Sequence, residues 1–374
     1  MKKKFLLLYL QAGWGHITAA KAIANYIDQN YSSTVDAMLI DGFAQAPRWL
    51  KKLIIDGYKT TQTKWKRIYK LLYRCNKRWV IAKISQVLLS RLVQKYIKQM
   101  VLKQNPTHIV IVHFFLVRPT VHILKQLHLD IPVTTIITDP FTLHPLWSLD
   151  KKMEYIVFSE RAKNTLVKNR IKPSQIKILP TILKQEFSWP MSEKEIIEKK
   201  KELWLSTQKK VVFIMWAGDG IPHGEKILQE LLATKIDIEI IMVCGKNQKL
   251  YNISKKIAQQ YPWNITKIFW FVDFMYDLVN VSDIIITKGW PATLMEILMM
   301  GKIPVINSYI REQEKWNVEF VVNNNVGFYQ PNIKKLVNIV HKMIDSDLSL
   351  YHQNIQNLQL RNGTQDVVEY LLKK

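Results

Sequence analysis

The sequence predicts an α/β protein built from two parallel-sheet domains, and three observations carry that expectation. Short apolar runs recur along the chain, each closed by turn residues and followed by helical spacing, as a buried parallel sheet requires. The pattern occurs twice, with a polar, Lys/Glu-rich stretch near residues 188–201 between the halves. A length of 374 residues with 48% apolar content suffices for two ordinary cores.

In the first half the strands are expected at 5–10, 35–40, 109–112, 133–137 and 155–158, with helices from about Ile17 and over 119–127. The opening Lys2-Lys3-Lys4 and apolar run resemble a signal peptide. Gln11 interrupts that run and no small-residue cleavage site follows, so it reads as a first strand. In the second half, 211–215 leads to the turn Trp216-Ala217-Gly218-Asp219-Gly220 and a helix from Glu225. Strands at 238–243, 268–272, 284–287 and 304–306 follow, and 364–374 closes the chain as a helix. Pro180 and Pro190 flank the junction. The expected division is 1–187, 188–355, and a terminal segment 356–374 that packs back on the first domain.

Charge and cysteine content narrow the class. Cys75 and Cys244 stand in unrelated contexts, with neither a disulfide framework nor zinc-ligand spacing, which suits a reducing cytoplasm. No run approaches the ~20 apolar residues of a spanning helix. The net charge of +24 implies an anionic partner. Residues 48–103 carry sixteen Lys and Arg against the single acid Asp56. Aromatic and aliphatic residues interleave at helical spacing (Trp65, Ile68, Tyr69, Leu72). A basic amphipathic insertion with interfacial Trp and Tyr suits an anionic bilayer. Its expected docking residues are Trp49, Lys51, Lys52, Trp65, Lys66, Arg67, Tyr69, Lys70 and Trp79. Nucleic acid competes as a partner, but runs such as Val87-Leu88-Leu89 fit it poorly, and none is expected. An ordinary helix pair with a solvated charged face is the plainer alternative.

Four loops follow predicted strands. Gly13 and Gly15 around Trp14 turn the backbone sharply and put His16 at a helix start, on the sheet edge where α/β proteins bind ligands. An incidental histidine in a tight turn fits the same residues. The small Ala19, Ala20, Ala22 and Ala24 favour function, because they let the helix lie close on the sheet. Residues 283–296 run from a buried strand past Lys288 into a helix expected near Thr293, whose N–H groups suit a diphosphate. Glu296 could hold a ribose diol or, with Thr293, form a capping box, and these roles exclude each other. Gly218-Asp219-Gly220 and Gly245-Lys246-Asn247 offer close backbone approach. Gln313 and Glu314 open a further helix after the strand at 304–306.

Together these segments resemble the monogalactosyldiacylglycerol synthase group of glycosyltransferases, with the bacterial processive diacylglycerol glucosyltransferases and, more distantly, the transferase that completes lipid II. The matching stretches are Gly13-Trp14-Gly15-His16 with Ala19-Ala20, Thr138-Asp139 with His144-Pro145-Leu146-Trp147, Cys244 to Asn247, Thr287-Lys288 through Glu296, Gln313-Glu314 to Asn317, and Asn324 to Gly327. The resemblance implies two Rossmann-like domains facing across a cleft (the GT-B type) and an inverting, metal-free transfer without a cofactor. It implies a UDP-sugar donor, diacylglycerol or a related lipid as acceptor, and peripheral attachment to the cytoplasmic face of the membrane.

By position, His16 becomes the base, and Gly13, Gly15, Asp139, His144 and Trp147 fall to the acceptor. Gly218, Gly220, Gly245, Lys246, Asn247, Phe271, Val272, Lys288, Pro291, Ala292, Thr293, Glu296, Gln313, Glu314 and Asn317 fall to the donor, with Glu296 on the ribose. Trp216, Asp219, Trp270, Trp290 and Ala292 stand where the resemblance expects glycine, which predicts a different turn or a blocked approach at the phosphates. A lipid-diphosphate acceptor, a sugar-nucleotide epimerase and a non-catalytic binding protein on the same scaffold are the competing readings.

Overall fold

The computed structural model describes residues 2–11, 14–51, 79–148, 150–215 and 221–374. The chain divides into two compact units, residues 1–185 with 361–374, and residues 186–360.

The first unit holds a six-stranded sheet in the order β2-β1-β3-β4-β5-β6. Its strands are β1 (Lys3–Tyr9), β2 (Val35–Asp41), β3 (His108–Ile111), β4 (Val133–Ile136), β5 (Glu154–Val157) and β6 (Ile176–Ile178). All neighbours pair in parallel. The helices are α1 (Trp14–Tyr31), α2 (Arg48–Lys51), α3 (Trp79–Gln104), α4 (Val117–Gln126), α5 (Glu160–Lys168) and, from the chain's end, Thr364–Leu372. Alternate residues of β1 face opposite cores. Leu6 and Leu8 pack with Val93, Ile97 and Val101 of α3. Phe5 and Leu7 pack with Ala20, Ile23 and Ile27 of α1 and with Val367, Val368 and Leu371 of the closing helix. This assignment corrects part of the basic segment. Its final stretch is a core helix, with Arg91 and Lys95 exposed on the far side, because the apolar residues at 93, 97 and 101 recur at helical spacing. Lys52, Trp65, Lys66, Arg67, Tyr69 and Lys70 lie outside the described residues, as do the side chains of Trp49 and Trp79. Lys51 donates to the Ala44 carbonyl at 2.6 Å.

The second unit holds a second parallel sheet, in the order β12-β11-β10-β7-β8-β9. These are β7 (Lys210–Ile214), β8 (Ile238–Val243), β9 (Thr266–Phe269), β10 (Ile284–Lys288), β11 (Ile303–Ser308) and β12 (Phe328–Tyr329). Helices α6 (Glu193–Glu202), α7 (Gly224–Ala233), α8 (Gln248–Gln259), α9 (Met275–Val281), α10 (Pro291–Met299), α11 (Arg311–Asn323), α12 (Ile333–Asp345) and α13 (Ser349–Asn357) accompany it. Strand β9 ends earlier than the sequence suggested, so Trp270, Phe271 and Val272 form a loop. The apolar run there continues past the last residue that pairs with β8.

Strand order fixes where chemistry can sit. A doubly wound sheet opens a crevice where successive connections leave in opposite directions, beyond the carboxyl ends of its strands. In the first unit that switch lies between β1 and β3, and in the second between β7 and β10. His16 follows β1, and Lys288 ends β10.

Candidate active site

His16 sits on the first turn of α1 and keeps partial exposure. Its Nδ1 lies 2.7 Å from the Thr138 hydroxyl, which β4 delivers. Burial pulls its pKa down to about 4, against the pull of a backbone hydrogen bond to Val112. The imidazole is therefore neutral at physiological pH, the form a general base needs. His113, at the end of β3, meets the His16 ring edge-on with centroids 4.6 Å apart. His113 Nδ1 accepts the Phe115 N–H at 3.2 Å, which fixes the ring's proton on Nε2. Burial, with His16 and His144 adding to it, holds His113 far below the usual imidazole range.

An aromatic stack braces this group. His144 stacks on Phe114 at 4.9 Å, Phe114 meets Trp147 edge-on at 5.6 Å, and Trp147 lies 6.3 Å from His16. Trp147 is fully buried. It thus packs beneath His16 and has no surface to offer an acceptor, a correction to its expected role. Its indole nitrogen has no hydrogen-bond partner. Asp139 and His144 are half-buried beside it, Gly15 has open space where a Cβ would stand, and Gly13 lies outside the described residues. Sequence reasoning passed over His113 and gave Thr138 no role of its own. The signal was their place just after β3 and β4, the two strands that follow β1 in the sheet, visible only once strand order is known.

The second site is built around Lys288. A register shift between Thr287 and Lys288 precedes the last β10–β11 pair, Lys288 with Ser308. Lys288 Nζ then meets Glu314 Oε1 at 3.0 Å, with both side chains almost wholly buried. The other Glu314 oxygen accepts the Ile310 N–H at 2.7 Å. Burial pushes the Glu314 carboxyl up, and Lys288 and that N–H pull it back. Asn317 is buried as well and donates to the Gly289 carbonyl at 2.9 Å. Glu314, expected on the sugar, and Asn317, expected at the donor, thus hold Lys288 and its loop in place. Gln313, one residue earlier, is half-exposed.

Helix α10 begins at Pro291, two residues before the expected start, with Trp290 as an N-cap that makes no side-chain capping bond. Proline at the first position loses no hydrogen bond, since that N–H has no intrahelical acceptor. The shift rules out the Thr293–Glu296 capping box, because Thr293 already lies inside the first turn and is buried. Ala292 shares that turn, and Glu296 stays half-exposed one turn in. Trp290 has φ −75° and ψ 129°, ordinary extended backbone, so this turn needs no glycine there.

Beyond β8, Gly245 takes φ +58°, a conformation glycine adopts without strain. Asn247 caps α8 by accepting the Leu250 N–H at 3.0 Å. The Lys246 ammonium sits 5.3 Å from the centre of the exposed Phe271 ring. Val272 is half-buried. Gly218 and Gly220 lie outside the described residues. Among the described residues no group of three or more His, Cys, Asp or Glu is arranged to hold a metal ion.

Two doubly wound parallel-sheet domains of this kind are those of a GT-B type glycosyltransferase. Residues 16–180 match the family model for monogalactosyldiacylglycerol (MGDG) synthase, and residues 224–370 match the glycosyltransferase family 28 C-terminal domain. The two matches together span most of the chain, with an MGDG synthase match in its first half and a family 28 C-terminal match in its second. It is 25% identical over 369 residues to a probable chloroplastic MGDG synthase of Nicotiana tabacum, covering 95% of this chain and 68% of that one. It is 24% identical to the processive diacylglycerol beta-glucosyltransferase of Bacillus licheniformis, covering 100% and 95%. Its fold is similar to that of Acinetobacter baumannii MurG (TM-score 0.65, 13% identity, full coverage of both chains). Anabaena HepE in complex with UDP is also similar (TM-score 0.60, 15% identity, full coverage of both).

Proposed function

We propose that this protein transfers a hexose from a UDP-sugar to diacylglycerol or a related membrane lipid, with His16 as the base and inversion at the anomeric carbon. The observation that carries this reading is a partly exposed imidazole, held neutral at the switch point of the first sheet and bonded through Nδ1 to Thr138. With Nδ1–H donating to the Thr138 oxygen, Nε2 remains as the basic nitrogen. It takes the proton of the acceptor hydroxyl as that oxygen attacks the anomeric carbon. The bond from that carbon to the β-phosphate oxygen breaks, and UDP leaves with the electron pair. No metal or cofactor takes part in this scheme. Lys288 and the first-turn N–H groups of α10 stabilise the charge that develops on the leaving diphosphate.

Glu296 serves the ribose, Gln313 the sugar, and the Lys246–Phe271 corner the base. By their names, the Nicotiana relative is a probable synthase of monogalactosyldiacylglycerol and the Bacillus relative a glucosyltransferase of diacylglycerol, which supports the acceptor class. Among the described residues no helix is long and apolar enough to cross a membrane; in this reading the basic segment brings the chain to its lipid peripherally. The basic segment supplies attraction of about 1 kcal/mol for each Lys or Arg near an anionic surface.

The test is UDP release from UDP-glucose and UDP-galactose, with and without diacylglycerol in anionic vesicles. Release that depends on diacylglycerol supports the reading, and mass analysis of the lipid identifies the sugar. Release that ignores the lipid contradicts it.

A further inference from the structure

Trp290 replaces an expected glycine at the strand-to-helix turn of the second site, yet the backbone there is unstrained. Its indole nitrogen is shielded from water and has no hydrogen-bond partner. A buried donor left in that state loses its hydration with nothing to replace it. The acceptors around it are engaged: Asn317 takes the Gly289 carbonyl, the Trp290 backbone N–H takes the Lys288 carbonyl, and Glu314 is divided between Lys288 and Ile310. The Lys288 ammonium lies 5.1 Å from the centre of the Trp290 ring. One turn thus holds a cation and a donor that lacks an acceptor, and an indole N–H can only donate.

We propose that Trp290 is a donor-binding residue whose indole N–H hydrogen-bonds a β-phosphate oxygen of the nucleotide. The proposal rests on the transferase reading and deepens it. In a glycine-rich turn the backbone itself approaches the phosphate. Here the side chain supplies the contact, and the oxygen it meets is anionic and acceptor-only. Trp290 is partly exposed, and a turn of the indole about its own side-chain bonds brings the N–H to the oxygen while Lys288 stays paired with Glu314. The same side chain occupies space near the phosphate, so Trp290 also limits which donors fit.

Calorimetry on the full chain tests this with UDP and UMP as probes. Trp290→Phe keeps the ring and removes the N–H. UDP affinity is expected to fall about tenfold, the loss of one charge-assisted hydrogen bond, while UMP affinity stays at the wild-type value. Unchanged UMP binding also shows that the variant is folded. In a 15N-labelled sample, one indole resonance should move on addition of UDP and be absent from the variant. UDP affinity that is unchanged, or UDP and UMP affinities that fall together, overturns the assignment of Trp290 alone. A wild-type chain that binds no UDP overturns the transferase reading itself.

Discussion

The two units place their chemistry at the same topological point and solve opposite electrostatic problems there. Beside β1 the desolvated groups are imidazoles kept uncharged: the partly exposed His16 and the buried His113 cluster after β1 and β3, and His108 on β3 is lowered to about 4 as well. Beside β10 the buried groups form an ion pair, Lys288 with Glu314. A base must be neutral to accept a proton, so desolvation serves the first site. In the proposed reaction a departing diphosphate needs positive charge in a dry place, which calls for a charged Lys288, and Glu314 makes that burial tolerable. In the proposed transfer, one sheet type thus serves both halves because the edges are furnished differently, not because the folds differ.

The comparison breaks most directly at the two central side chains. His16→Ala should lower the transfer rate about 10²- to 10⁴-fold, measured as UDP release with lipid present, while UDP binding by calorimetry stays intact. Lys288→Ala should act in the reverse sense, weakening UDP binding first. It also strands Glu314 in the core, a loss of about 3–5 kcal/mol of stability to urea. Changing Lys288 and Glu314 together to Met and Gln should recover much of that stability without recovering UDP binding.

Acid should distinguish the units next. His16 and His108 have folded pKa values below the unfolded 6.5, so the unfolded chain binds more protons between pH 6.5 and 4. Their contribution is complete above pH 6.5 and is lost as pH falls toward 4. Lowering pH from 7 to 5 should therefore destabilise the first unit by up to about 2 kcal/mol per histidine. Hydrogen exchange should show protection lost there before it is lost in the second unit. In the second unit Lys302 is lowered to about 8 by burial. The same sign applies, and its cost fades as pH rises through 8 toward the unfolded value. The smallest expected effect is at Thr138: Thr138→Val removes one hydrogen bond to His16 and should cost roughly tenfold in rate, with unchanged urea stability as the control.

Much of this layout is legible in the sequence because strand-forming runs and turn residues are local signals. The β8 run was located to the residue, and most strands lie within two residues of expectation. Strand order is not local, and His113 and Thr138 acquire meaning only when β3 and β4 are known to lie successively beside β1. The start of α10 was misread because Thr293 and Glu296 carry a capping spacing, whereas Pro291 set the first turn. The Lys288–Glu314 pair joins β10 to α11 across a 26-residue gap that periodicity does not see. Val93, Ile97 and Val101 of α3, which fall within the segment read as a basic amphipathic insertion, turn inward because the sheet face beside them is equally apolar.

The central claim is that His16 activates a lipid hydroxyl against a UDP-sugar. The direct measurement is UDP release in anionic vesicles by the wild type and by His16→Ala, with diacylglycerol present or omitted. Release that needs the lipid and disappears in the variant agrees with the account. Lipid-dependent release that survives the loss of His16 contradicts it.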